Sequence, residues 1–206
     1  MEKKKNKKSS GLIYAIIGIT VLVVSIVGST VAYFSAEASA TGIAGEALDV
    51  KLGLSLKMVS TGTGSLVPIL DGTKSGTTSQ LPQAATASCV DSNGNTVCQI
   101  YEITATNTGS DDTNISVSLA LNKGTVTNLK WASMTNATTV GTVHASTDTS
   151  VSTNSTLAAG GTSKFYIMVY INETQTSQNT TDKSSFSGTV TVSAATGSEV
   201  TATFNT

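Results

Sequence analysis

Arginine is absent from all 206 residues, histidine occurs once, cysteine and proline twice each, and aromatic residues make up 5% of the chain. Each shortage excludes something. Nucleic-acid binding needs clustered Lys and Arg to neutralise phosphates, so a chain without Arg and with net charge −1 is not expected to bind nucleic acid. A single imidazole, His144, leaves no H-E-x-x-H zinc site and gives a Ser/His/Asp or Cys/His arrangement only one candidate base. No G-x-S-x-G, P-loop or dinucleotide glycine pattern is present. The paired acids Asp111 and Asp112 lie in "NTGSDDTN", where a turn accounts for them without chemistry. The chain is therefore expected to be no enzyme, with no cofactor and no metal, and His144 to be a surface residue in a loop or at a strand edge. Pro68 and Pro82 alone make no proline-rich linker.

What is abundant is Ser, Thr, Gly, Ala and Val, a composition of β-branched strands joined by polar turns. The length suits one folded domain plus an accessory segment. Charge divides unevenly. Five lysines (Lys3, Lys4, Lys5, Lys7, Lys8) and one acid precede residue 33, which leaves seven lysines against twelve acids for the remainder. An acidic outer part suits a soluble surface protein.

"MEKKKNKKSS" followed by "GLIYAIIGITVLVVSIVGSTVA" is a basic stretch and then a mainly apolar run of membrane length. Positive charge collects on the cytoplasmic side, so the lysines stay inside and everything after Ala32 is exported to the cell surface or beyond. Signal-peptide cores usually span about 7 to 15 residues, so residues 1–32 are either a signal peptide or a membrane anchor. Thr30 and Ala32 supply the small residues of a scissile site between Ala32 and Tyr33. A type IV pilin-like reading, with cutting after Gly11, places Ile16 where such leaders need Glu. No Cys ends the apolar run and no LPxTG-like signal ends the chain, so neither a lipoprotein nor a sortase substrate is expected.

From Leu48 to Met58 even positions are apolar and odd ones polar or Gly, the period of a half-buried strand. Further strands are expected at residues 96–106, 114–122, 164–172, 188–194 and 199–204, with at most a short one at 66–70. "KFYIMVYIN", apolar on both faces, fits a central strand. The chain from 48 to 206 is thus expected to form an all-β sandwich, jelly-roll or immunoglobulin-like, preceded by an N-terminal apolar helix and an extension over 33–47.

"CVDSNGNTVC" holds both cysteines around Asn93-Gly94. A type I′ turn there pairs Val90 with Val97 and sets Cys89 directly opposite Cys98, a geometry for a disulfide in an exported chain. Asp91, Asn93, Asn95 and Glu102 follow the spacing of a calcium loop, but Thr96 stands where Gly is needed, and polar hairpin decoration is the expected role. Asn114, Asn136, Asn154, Asn172 and Asn179 begin N-x-[ST] triplets, which chance supplies in so Ser/Thr-rich a chain.

The basic start and apolar run, then "TVAYFSAEASATG", "AGEALDVKL" and later "YEITATNTGS", resemble the TasA and camelysin family of exported proteins. The likeness is good over Gly28 to Leu56 and extends to Tyr101 to Ser110; the family's "YFSD" is "YFSA" here, and the cysteine hairpin is not a general family feature. The resemblance implies a dedicated signal peptidase, a jelly-roll subunit of extracellular biofilm-matrix fibres, and copies of itself as partners. It also implies a donor strand within the extension from Tyr33 to about Ala44, whose apolar row is Phe34, Ala36, Ala38 and Ala40. Some camelysins have been classed as metallopeptidases, an activity that needs histidines this chain lacks. The alternative is a membrane-anchored binding or adhesion domain, for which 33–47 is a plain linker.

Overall fold

The structure, a computed structural model, describes residues 48–62, 65–174 and 185–205. The apolar run, the Ala32–Tyr33 junction, Tyr33, Phe34, Ala36, Ala38, Ala40 and Asn179 lie outside the described residues. Among the described residues no helix is long and apolar enough to cross a membrane.

The described residues form two antiparallel sheets. The strands are β1 (Leu52–Met58), β2 (Cys98–Asn107), β3 (Thr113–Asn122), β4 (Leu129–Asn136), β5 (Thr139–Ala145), β6 (Ser150–Leu157), β7 (Thr162–Ile171), β8 (Ser187–Ala194) and β9 (Glu199–Asn205), with one short helix, α1 (Leu81–Thr86). One sheet has the order β1-β2-β7-β4-β5 and the other β6-β3-β8-β9. Period-two alternation supplies the shared core: Tyr101, Ile103 and Ala105 of β2 and Ile167 and Val169 of β7 meet Ile115, Val117 and Leu119 of β3 and Val190 and Val192 of β8. β7 is the middle strand of its sheet, as the doubly apolar "KFYIMVYIN" predicts.

Several elements depart from the sequence pattern. β1 begins at Leu52 rather than Leu48, because residues 48–51 bond to the β2–β3 turn instead of extending the ladder. β4, β5 and β6 are not among the expected strands: β6 is Ser/Thr-rich, β5 carries Gly141, and β4 buries Leu129, Trp131, Ala132 and Met134 without strict alternation, so pairing of β4 with β7, β5 with β4 and β6 with β3 organises them. The 66–70 stretch forms one isolated bridge, Ile69 to Asn172.

The described residues of the 59–97 insert between β1 and β2 pack on the outer face of the five-stranded sheet. There Leu81, Ala84 and Ala85 of α1 join Ile69, Val97 and the two cysteines against Ile100, Met168 and Tyr170, making a second apolar cluster. Pro82 occupies the first turn of α1, where its missing N–H has no helical partner to lose.

Candidate functional site

Cys89 and Cys98 form a disulfide, with Cα atoms 4.8 Å apart. The hairpin around it differs from the expected type I′ turn. Val90 pairs with Thr96, and the Asp91 N–H donates to the Asn95 carbonyl, so Ser92, Asn93 and Gly94 make a three-residue loop. Gly94 N–H closes a turn on the Asp91 carbonyl at 3.0 Å, and Gly94 alone takes positive φ, 83°. The cause is Asp91: its Oδ1 accepts from the amides of Asn93 and Asn95, and its Oδ2 from the Asn95 side chain. The Asn95 side-chain bond, with the amides, also holds this carboxyl below its usual range. Cys89 consequently faces Val97, one residue off the expected register, and reaches Cys98 from a backbone with φ 65°.

The insert is fastened to the sheet at a second point. Asp71, 6% exposed, receives the Lys130 ammonium at 2.7 Å and the Tyr170 hydroxyl at 3.2 Å on Oδ2. Its Oδ1 accepts the Thr73 amide and hydroxyl. Burial pushes the Asp71 carboxyl up, but the bonds from Lys130 and Thr73 outweigh it and hold the group below its ordinary value. Burial also pushes the Tyr170 hydroxyl well above its usual range, assisted by the Asp71 charge. Between α1, the hairpin and residues 67–69 runs a groove of about 640 Å³, lined by Val67, Ile69, Ala84 and Val90 and by the polar Gln80, Gln83, Asp91 and Ser92.

The two stretches "ALDVKL" and "NTGS" meet. Asn107 Oδ1 accepts the amides of Lys51 and Gly109, and its Nδ2 donates to the Asp111 carbonyl. The Asp49 amide donates to Asp111 Oδ2 at 2.6 Å, and Thr108 N–H donates to the Lys51 carbonyl. Gly109 has to be glycine, because a Cβ there would collide with the backbone carbonyl of Asp49. This clamp fixes where the chain enters β1. Asp111 and Asp112 are thereby explained: the first caps Asp49 and the second accepts the Ala159 amide.

Among the described residues β1 is an edge strand paired only with β2, in unbroken register from Leu52 opposite Asn107 to Met58 opposite Tyr101. Its even residues face the core, where Val50, Leu52, Leu54 and Leu56 are half-buried. Leu48 and Met58, at the two ends of the same row, are 54% and 37% exposed.

His144 lies on the edge strand β5, but it is not the plain surface residue expected. Its ring stacks on the buried Trp131 indole at 4.0 Å and 12°, and its side chain is 24% exposed. Cross-strand pairing opposite Trp131 puts it there, which no local pattern announces. Glu102 sits on the outer face of the sheet, where the Tyr166 hydroxyl and the Lys164 ammonium hold its carboxyl below the usual range. Its partners differ from those of Asp91, and the calcium-loop spacing brings no shared site. Among the described residues no three His, Cys, Asp or Glu side chains gather as a metal site would need.

No protein-family model matches the chain, and no curated protein matches it. Among solved structures, a FixG-related protein from Vibrio parahaemolyticus is 6% identical with TM-score 0.36, over 75% of this chain and 93% of that one. The sporulation control protein Spo0M of Bacillus subtilis is 8% identical with TM-score 0.38, over 75% of this chain and 47% of that one. Likeness at that level carries no argument about function. What the described residues themselves offer is an open sheet edge, a clamp at its start, and a stapled insert on the outer face.

Proposed function

We propose that the protein is an exported structural subunit of extracellular fibres. It assembles when removal of residues 1–32 frees the 33–47 extension to add as a strand to a neighbouring copy. The observation that carries this reading is the place where the extension joins the domain: residue 48 leads through the Asn107–Gly109 clamp into a strand at the edge of an antiparallel sheet. An extended segment gains affinity by main-chain pairing with such an edge, and head-to-tail repetition that does not close gives a filament. The resemblance to the TasA and camelysin family points the same way.

Of the two architectures left open by the sequence, the strand order supports the immunoglobulin-like one. β1-β2-β7-β4 follows the A-B-E-D order and β3-β8-β9 the C-F-G order, with β5 and β6 inserted between the fourth and fifth strands of that scheme.

The test is the N-terminal sequence and mass of the protein from membrane and culture-fluid fractions. A start at Tyr33 outside the cell is the expected result; an intact N-terminus confined to membranes contradicts it. In that case the second reading, an anchored binding domain, takes over. The groove beside the disulfide hairpin favours it, as a concave surface of apolar side chains interrupted by Gln80, Gln83, Asp91 and Ser92.

A further inference from the structure

We propose that Asn93-Gly94, at the tip of the disulfide hairpin, is a self-modifying site: Asn93 converts to aspartate or isoaspartate when the turn opens, and the intact turn holds the reaction back. This is independent of the assembly reading above. The reaction needs no enzyme, and water is its one co-reactant. The backbone nitrogen of Gly94 attacks Asn93 Cγ; the N–Cγ bond forms, the Cγ–Nδ2 bond breaks, and the proton from the attacking nitrogen ends, by way of solvent, on the departing ammonia. Water then opens the five-membered imide at either carbonyl. One opening leaves aspartate, and the other leaves isoaspartate, with the main chain rerouted through Cβ. Because ammonia is lost, the change does not revert.

Sequence and structure place the site here. Asn93-Gly94 is the single Asn-Gly pair in the chain, so no other asparagine is followed by a residue without a side chain in the path of attack. Space around it is open: a Cβ built on Gly94 meets nothing within 4 Å. Asn93 is exposed, and although its backbone N–H donates to Asp91 Oδ1, its side-chain amide has no partner among the described residues. Nothing therefore ties Cγ down.

The brake is the turn itself. The attacking nitrogen has to shed its proton, and in the folded hairpin the Gly94 N–H donates to the Asp91 carbonyl at 3.0 Å. The Asp91 carboxylate, bonded to the amides of Asn93 and Asn95, fixes the loop and disfavours negative charge developing on the nitrogen between them. The Cys89–Cys98 disulfide closes the base of the hairpin. Asp71-Gly72, where an imide could form by loss of water, offers a contrast. Asp71 is 6% exposed, and both its oxygens are bonded by Thr73, Lys130 and Tyr170, so its Cγ is not free to turn toward the Gly72 nitrogen.

The consequence falls on the groove. Isoaspartate adds a backbone carbon to a three-residue loop, and either product sets a second carboxylate two residues from Asp91. Asp91 and Ser92 line the groove, so a modified hairpin presents a changed wall.

The experiment incubates the full chain, kept soluble in mild detergent, at mildly alkaline pH and follows its peptides by mass and elution. A product one mass unit heavier at Asn93 is expected, ahead of Asn95 and Asn154 and ahead of isomerisation at Asp71. The reduced, alkylated chain in urea should react at least about tenfold faster than the folded one, because opening is then no longer required. Folded Asp91→Ala should react about fivefold faster than wild type, roughly the worth of one hydrogen bond. Asn93→Gln, whose longer side chain closes a ring poorly, should fold normally and stay unmodified at this position. First modification at Asn154 or Asp71 overturns the site. Equal rates in the folded and unfolded wild-type chain overturn the brake, whether or not Asp91→Ala folds, and a folded Asp91→Ala that reacts at the wild-type rate does the same.

Discussion

Replacing Asp71 by alanine removes one carboxylate that four donors share: the Thr73 amide and hydroxyl, the Lys130 ammonium and the Tyr170 hydroxyl. Truncation leaves the Tyr170 hydroxyl, on a fully buried residue, and the Lys130 charge without this acceptor. Breaking a buried ion pair by deleting one partner costs about 3–5 kcal/mol. The Lys130 side chain is 25% exposed, so water replaces part of what is lost and the lower end, about 3 kcal/mol, is expected. Tyr170→Phe removes one hydrogen bond to a charged group and should cost about 1.5 kcal/mol, with a coupling to Asp71→Ala of about 1 kcal/mol in a double-mutant cycle. Urea unfolding at pH 7, with the slope unchanged, is the assay. The pH dependence has a fixed sign. The folded carboxyl titrates below its ordinary value of 3.8, so its contribution is complete above the unfolded value and lost as pH falls through the lower, folded one. Wild type and Asp71→Asn should therefore converge in stability only below about pH 4. A cost under about 0.5 kcal/mol for Asp71→Ala, or a difference from Asp71→Asn that persists unchanged to pH 2, refutes the assignment of Asp71 as the fastener of the insert.

The disulfide, which closes a sequence separation of 9, should contribute about 2–3 kcal/mol, read from unfolding of the Cys89→Ala, Cys98→Ala pair. Limited proteolysis of that variant should cut first within 59–97, and cutting elsewhere first contradicts the stapling role. Gly109→Ala sets a Cβ against backbone rather than a movable side chain, so a loss of about 2 kcal/mol or more is expected, with faster amide exchange across Leu52–Met58. Unchanged exchange there would show that the clamp does not hold β1. His144→Ala uncovers one face of the single Trp, and the Trp131 emission should move to longer wavelength for about 0.5–1 kcal/mol of stability; an unshifted spectrum contradicts the stacking.

Strands whose residues alternate strongly are legible in the sequence alone: Leu52–Met58, the 96–106 stretch, Ile115 to Leu121, and the doubly apolar middle strand. Those held by partners are not. β6 carries Thr, Ser and Asn where a sequence pattern expects apolar residues, β4 buries residues on both faces and so shows no clean alternation, and β4 and β6 are placed by pairing with strands far along the chain. α1 spans six residues with no capping side chain, too short to show a helical period. At the hairpin the cysteine pairing is legible and the register is not, because Asn-Gly alone specifies a type I′ turn while the Asp91 carboxylate, bonding the amides two and four residues on, draws the chain into a three-residue loop. The clamp has a visible signal in "NTGS", but its partner, fifty-six residues away at Lys51, has none. Asp71 reads like any loop acid; its burial is a property of the insert folding across the sheet.

The most direct test of the account compares two versions of the folded domain at the same concentration, one beginning at Tyr33 and one at Leu48, by sedimentation and electron microscopy. The account predicts filaments from the first, and monomers from the second with an unchanged unfolding midpoint. Filaments from both, or monomers from both, would contradict assembly through the 33–47 extension.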